Sequence, residues 1–373
     1  MRETASPTVL PAVTALAVVS AFAAGCAPSA ETAGRRVTDL AGREVAVPRE
    51  VHRLVALGPG ALRLVVYLGV TDRLVGIEDI ENRMVRDVYV RPYASGLGED
   101  VLDLPVVSAG GPGVLPDPER LLACRPDLLV CVGIDPAGLE NLEAKTGVPA
   151  LYLSYGELGV WGEEARRSLT LLGDVLGRAA RAEALNQTIA ALERDLAART
   201  ADIPATDRPT VYIGGISYKG PHGLTSTEAG YPPARLVGAR NLADTVRGPG
   251  HFFVDREQIL RWDPAFLFVD LGSRDILEQD FRDHRAFYRL LKAAASGRTL
   301  SLLPYNHYNT NIELSLLNAY FIGRSLYPER FADVRMEDKA REILGAFLGV
   351  TPAGEIPAYR ALRFPEAGPV QWR

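Results

Sequence analysis

The sequence predicts an α/β fold made of two lobes of similar build joined by a single long helix, and two observations carry that expectation. The first is Arg178–Thr200, RAARAEALNQTIAALERDLAART, which contains neither Pro nor Gly. Leu185, Ile189, Leu192 and Leu196 recur in it at spacings of three and four, which places them on one helical face. At about 1.5 Å per residue such a helix spans roughly 35 Å, the width of a small domain. The second observation is a helix–Pro–strand unit on each side of that helix. Asp117-Pro-Glu-Arg-Leu-Leu-Ala-Cys-Arg-Pro-Asp-Leu-Leu-Val130 precedes it, and Asp255-Arg-Glu-Gln-Ile-Leu-Arg-Trp-Asp-Pro-Ala-Phe-Leu-Phe268 follows it. In each copy Asp is the expected N-cap, a short helix ends before Pro126 or Pro264, and an apolar run reads as a buried parallel strand. A helix inside one large α/β domain would look like the first observation alone. Two copies of one unit imply two lobes.

Length and composition agree with this. The chain has 373 residues with 47% hydrophobic and 23% charged residues, ordinary for a globular protein long enough for two domains. The formal net charge is −5, and no Lys/Arg block marks a nucleic-acid partner. Leu10–Gly25 is apolar but shorter than the ~20 residues a membrane span requires, and it fits the core of a secretory signal. It ends Ala23-Ala-Gly-Cys26, which resembles a bacterial lipobox with Ala23 where Leu is usual. Residues 1–25 are therefore expected to be a signal peptide, Cys26 the lipidated residue of a two-chain anchor, and 26–36 a small, polar tether. A plain signal cut nearby, with Cys26 incidental, is the alternative. Cys124 and Cys131 read as small buried apolar residues, although an exported protein permits a disulfide. No CxxC or Cys/His pattern suggests a metal site.

Taken in order, Val37–Val47 alternates like a hairpin with Ala41-Gly42 at its turn. Arg53–Leu57 is a strand, Gly58-Pro59-Gly60 a sharp turn, and Ala61–Leu68 a helix, the opening of a parallel α/β unit. The spacing is not the dinucleotide fingerprint. Strands follow at Leu74–Ile77, Leu128–Val132 and Ala150–Leu153, with a Gly-rich turn at 109–113 and a strand end at Ser154-Tyr155-Gly156. The expected organisation is a first lobe over 37–160, a linker with the long helix over 161–202, a second lobe over 203–350 and an irregular tail over 351–373. In the second lobe, strand Thr210–Ile213 leads into a long Gly/Pro-rich loop through Pro233, of the kind that is usually functional in a compact domain. Phe266–Val269 and Thr299–Leu303 are strands, and the latter delivers Pro304-Tyr-Asn-His-Tyr-Asn-Thr-Asn311 before a helix from Ile312. Met336–Phe347 is the last helix.

No nucleophile elbow, HExxH or phosphate loop is present. The polar residues that suit a ligand lie on loops at strand ends: Tyr155 in the first lobe, and Tyr218, Lys219, His222, Tyr305, Asn306, His307, Tyr308 and Asn311 in the second. Lys supplies charge, Asn amide hydrogen bonds, and His or Tyr a metal ligand, which together suit an anionic or metal-bearing ligand. Taken singly, each is as well read as an interfacial aromatic or a solvated polar group. Glu119 and Glu257 occupy equivalent places in the two repeats. They either compensate helix dipoles or form paired acidic contacts for a partner with basic pockets.

These residues resemble a known family. VTDLAGREVAVPREVHRLVALGPGALRLVVYLG near the start, the two E-x-[LI]-L-x-x-x-P segments and the helix between them look like the substrate-binding proteins of ABC importers for iron complexes and cobalamin. GGISYKGPHG, YPPARLVGARNLAD, LPYNHYNTNIE and SLYPERFADV look like an iron-complex subgroup. The resemblance covers about Val37–Gly349. It implies two Rossmann-like lobes on a helical backbone, with the ligand between them and limited closure. It also implies docking of Glu119 and Glu257 on arginines of a permease served by an ATPase, in a monomeric extracytoplasmic protein that is lipid-anchored to the cell membrane, has no cofactor and performs no catalysis. The ligand it implies is a metal chelate of iron–siderophore type. Heme or cobalamin, a divalent metal held directly by His222, His251 and His307, and an enzyme built on the same scaffold are the alternatives.

Overall fold

The computed structural model describes residues 34–84, 91–156 and 162–349. The expected signal peptide, Cys26, most of the tether and the tail 351–373 lie outside the described residues. The strands are β1 Arg35–Thr38, β2 Glu44–Val47, β3 Leu54–Leu57, β4 Leu74–Glu78, β5 Val106–Ser108, β6 Leu128–Val132, β7 Ala150–Leu153, β8 Thr210–Gly214, β9 Ser226–Ala229, β10 Arg240–Asn241, β11 Gly250–Phe253, β12 Phe266–Asp270 and β13 Thr299–Leu302. The helices are α1 Ala61–Leu68, α2 Asp79–Met84, α3 Glu99–Leu102, α4 Pro118–Ala123, α5 Pro136–Thr146, α6 Glu163–Val175, α7 Ala179–Thr200, α8 Pro232–Leu236, α9 Arg256–Trp262, α10 Arg274–Asp283, α11 Arg285–Leu290, α12 Lys292–Ala295, α13 Ile312–Leu326 and α14 Met336–Leu348.

Besides the antiparallel β1–β2 hairpin, two larger sheets are formed among the described residues, one before and one after α7. The first is parallel in the order β5-β4-β3-β6-β7. Its central strands, LVAL and LLVCV, are buried at every position, which is why they read as unbroken apolar runs rather than alternations. In the second, β8, β12 and β13 are parallel. β9 and β11 extend it antiparallel at the end of β8, and β10 pairs parallel with the start of β8. The loop expected between β8 and Pro233 contains a strand, β9 at 226–229. Ser-Thr-Glu-Ala carries neither an apolar run nor an alternation, and all four residues are buried because they pair between β8 and β11.

The repeat is structural. Asp117 caps α4 by accepting from the amides of Glu119 and Arg120, and Asp255 caps α9 by accepting from Gln258. The residue before each proline, Arg125 or Asp263, is left-handed, with φ of 46° and 42° respectively. Each unit then enters its own sheet one strand in from the edge.

The long helix α7 buries Leu185, Ile189, Leu192 and Leu196, as the periodicity requires. It packs on α6 before it and on α8, α13 and α14 after it. The corner between α6 and α7 is tight: a Cβ on Gly173 would stand 2.5 Å from that of Ala182. A single apolar core runs through the helix from Leu54 and Leu128 on one side to Val211 and Phe268 on the other. The last helix, α14, packs on α13 but also returns to the first lobe. Tyr67 and Phe347 meet edge-on at 5.0 Å, and Arg181 of α7 donates to the carbonyl of Phe347 at 3.1 Å. Within the segment expected to be the second lobe, α13 is buried on nearly every side, and α14 covers it while also touching α1 of the first lobe.

Among the described residues no helix is long and apolar enough to cross a membrane. Cys124 and Cys131 are both free and buried.

Candidate functional site

In each sheet the parallel strands end at one edge, and the loops that leave that edge are the natural place for a ligand. Two groups of residues occupy these edges.

The first group is a seam between the two sheets. Its centre is the loop that leaves β13 and runs to α13. Tyr305 and Asn311 form its base. Tyr305 is buried and its hydroxyl donates to both oxygens of Glu228 at 2.8 and 2.9 Å. The Asn311 backbone amide closes the loop onto the Tyr305 carbonyl at 2.7 Å. The tip reaches the first lobe. Tyr308 donates to Glu78 at 2.8 Å and accepts from the amide of Gly111 at 2.9 Å. Asn309 donates to the carbonyl of Pro59 at 3.2 Å. Arg63, on α1 and wholly buried, donates to the carbonyls of Thr310 at 2.9 Å, His307 at 3.0 Å and Tyr308 at 3.2 Å. Arg91 is buried too. It pairs with Glu81 at 2.7 Å, lies 4.5 Å from the centre of the Tyr308 ring, and donates to Nδ1 of His307 at 3.3 Å. Tyr155 is buried in the same seam, its hydroxyl on the carbonyl of Gly60 at 3.0 Å and its ring beneath Arg63.

Gly58 opens the turn that makes room for this. Its φ is 84°, and a Cβ there would lie 2.0 Å from the carbonyl oxygen of Val132. Its amide donates to Glu78 at 3.0 Å.

The second group is an exposed shelf on the second sheet's edge, built from the loop after β8 and from β11. Tyr218 stacks on His251 with centroids 4.4 Å apart, His251 and His222 lie 6.0 Å apart, and Phe253 stands edge-on to both. The Lys219 ammonium is 5.5 Å from the centre of the Tyr218 ring. His251 is fixed by Ser226 at 2.7 Å, and the amide of His222 donates to Ser273 at 3.0 Å. Phe253 is 57% exposed and Tyr218 41%, large values for aromatic residues held in a packed row.

The electrostatics divide along the same line. Burial raises Glu78 to about 7, Glu228 to about 8 and Asp270 to about 7. Burial, with the neighbouring His222 and Arg247, lowers His251 to about 4. Burial, with Arg91 and Arg63, lowers His307 to about 4. Both imidazoles are therefore neutral at pH 7, and a neutral His307 has the lone pair that Arg91 needs as acceptor.

The structure places the expected site residues in distinct environments. Tyr218, Lys219, His222 and His251 come together on the shelf. Tyr155, Tyr305 and Asn311 are buried where they hold backbone in place, while His307 and Tyr308 are partly buried in the seam and bonded to the first lobe. Asn306 is partly exposed and bridges to Thr310 across the loop. The three histidines of the direct-metal alternative do not share one group. His307 is tied to Arg91 on the first lobe, away from the His222–His251 pair, and among the described residues no three His, Cys, Asp or Glu side chains form a metal cage. Glu119 and Glu257 are exposed in the first turns of α4 and α9. Sequence reasoning missed Arg63, Arg91, Glu78 and Phe253. The signal for Arg63 was present as a lone charge within the apolar helix ALRLVVYL. Phe253 carried no signal, since one exposed aromatic is unremarkable in a sequence.

This is the architecture of a binding protein, with two α/β sheets on a helical backbone and polar loops gathered at their facing edges. The chain belongs to the periplasmic binding protein family, which it matches over residues 54–304. Its class is the substrate-binding component of an ABC importer. The molybdate-binding protein MolA of Haemophilus influenzae is 24% identical over 340 residues, covering 84% of this chain and 91% of MolA. The molybdate-bound structure of MolA superposes with a TM-score of 0.66 at 21% identity, covering 85% of this chain and 99% of that one. A periplasmic solute-binding protein from Veillonella parvula gives 0.68 at 20% identity, covering 85% and 94%. Helicobacter pylori CeuE with Ni(II) bound gives 0.64 at 16% identity, covering 86% and 97%.

The raised carboxyl groups make a prediction about stability. A carboxyl whose pKa is higher in the folded chain than in the unfolded chain favours folding when protonated, and that contribution is lost as pH rises through the folded value. The window for Glu228 runs from the ordinary 4.5 to about 8. Glu228→Gln keeps an oxygen to accept from Tyr305. The melting temperature of the parent is expected to fall across this window, and that of the variant to fall less. Parallel curves would show that Glu228 is not held protonated.

Proposed function

We propose that this protein captures an anionic metal complex on the Tyr218–His251–His222–Phe253 shelf and passes it to an ABC permease and its ATPase. One observation carries the reading: two largely exposed aromatic side chains beside a lysine, on the edge where the strands of the second sheet end. A chelate with organic faces would cover Phe253 and Tyr218, gaining roughly 25 cal/mol for each Å² of apolar surface removed from water. Its negative charge would meet Lys219, and the neutral imidazole of His251 suits a metal-bearing ligand. An iron–siderophore complex fits this description best, and heme or cobalamin belongs to the same class. A second reading, molybdate, is favoured by the similarity to MolA and by the buried Arg63 and Arg91. It leaves the shelf unexplained, since a small oxyanion has no face to lay on an aromatic row.

Fluorescence titration with a ferric catecholate, a ferric hydroxamate, heme, cobalamin and molybdate separates the two. At least one chelate is expected to bind, and Tyr218→Ala with Phe253→Ala is expected to weaken it at least about tenfold. Tight binding of molybdate alone, unchanged in that variant, would overturn the shelf reading.

Glu119 and Glu257 are proposed as the permease contacts, because each is exposed at the same place in its repeat. Reversing both charges is expected to abolish uptake in cells while ligand affinity stays at the parent value. Unchanged uptake would remove them from that role.

Cys26 is proposed as the lipidated residue, on the strength of the apolar run that ends at it. Metabolic labelling with a fatty acid should mark the protein and be lost in Cys26→Ser. An unlabelled parent chain would point to simple cleavage of the signal.

A further inference from the structure

We propose that the loop from Tyr305 to Asn311 is a releasable latch that fixes the orientation of one sheet against the other, with Arg63 as its keeper. The proposal concerns the scaffold and stands whichever ligand the shelf takes. The loop belongs to the second sheet by its base and to the first by its tip. Its base is held by Glu228 through Tyr305, and its tip is held by Arg63, Glu78 and the carbonyl of Pro59. Besides the helices it is a direct connection between the two strand edges, made without any covalent link.

Two features mark it as a device that lets go. Tyr308 and Asn309, neither of them glycine, are successive left-handed residues with φ of 50° and 74°. That backbone is costly for Tyr308, and it is held by the loop's own Asn306–Thr310 bridge together with the contacts to the first lobe. The docked state also leaves polar atoms unpaired in the interior. Nε of Arg63 and Oε1 of Glu81 are buried without a hydrogen-bond partner. Undocking lets the backbone relax and lets water reach those atoms, so release returns part of what the lost contacts cost. Arg63 is central because one guanidinium holds three carbonyls of the tip. No other side chain of the first lobe engages the loop backbone so extensively among the described residues. The shelf leaves the same strand edge as the latch, so release widens the space into which a bound ligand extends.

Arg63→Met keeps most of the aliphatic volume and removes the donors. Tyr308→Phe keeps the ring under Arg91 and removes the hydroxyl shared by Glu78 and Gly111. Both are to be compared with the parent, full length and without ligand, by hydrogen exchange with mass spectrometry and by small-angle scattering. The expected result is exchange at least about tenfold faster in 305–311, with β12 unchanged, and a larger radius of gyration, strongest in Arg63→Met. Unchanged loop exchange in a folded variant would overturn the proposal. So would equal acceleration throughout both sheets, the mark of a residue that only stabilises the core. If Arg63→Met does not fold, Tyr308→Phe decides by the same readings. Neither measurement involves a ligand, so failure here is distinct from failure of the shelf reading.

Discussion

The interaction on which the rest of the structure depends is the burial of the Arg63 guanidinium at the first turn of α1. An arginine never gives up its charge, so placing it in the interior requires acceptors on every side. The first lobe offers few: α1 itself is apolar, and its turn is Gly-Pro-Gly. The acceptors come from the other lobe, as three backbone carbonyls of the loop after β13. The two sheets are therefore joined by the electrostatic need of one side chain as well as by helix packing. The Tyr67–Glu313 hydrogen bond and the Arg91–His307 contact repeat the theme beside it, each with one partner on either side.

The apolar core is continuous across the same boundary. Two separately folded lobes on a strut would each close their own interior. Here α13 is buried on nearly all sides, α14 returns to cover both it and the first lobe, and α7 lies within a single apolar cluster. The arrangement limits large rearrangement, because apolar surface would have to separate along the whole length of a helix. It leaves the strand edges, where contacts are polar and exchangeable with water, as the place where the sheets can shift.

Polar groups at those edges are sorted by exposure. Carboxyls that face inward are held by tyrosine hydroxyls and amides and have their pKa values raised by burial, as at Glu78 and Glu228. The imidazoles of His307 at the seam and His251 at the shelf are kept neutral. What faces water is an aromatic row with a lysine at its end. The seam is thus a structural network that consumes its own charges, whereas the shelf has apolar and cationic surface to offer a ligand.

Elements that arise from local pattern can be read directly from the residues. The heptad-like spacing in α7 marks a helix. Apolar runs bounded by Gly and Pro mark the parallel strands. The Asp caps and the Pro-terminated helices of α4 and α9 mark the repeat. Each depends on residues close in the chain, so each is legible without a fold. The roles of the loop residues were not legible. Tyr305, His307, Tyr308 and Tyr218 look alike in sequence, yet the first three hold backbone or bridge the sheets and only the last presents an open face. The polar strand β9 was invisible because its burial comes from β8 and β11, not from its own composition. Arg63 showed as an odd charge in an apolar helix, but its partners lie more than two hundred residues away. Tertiary structure alone decides which polar groups spend their hydrogen bonds on the chain, because that depends on what distant segments bring within 3 Å, and long-range pairing leaves no periodic trace in a sequence.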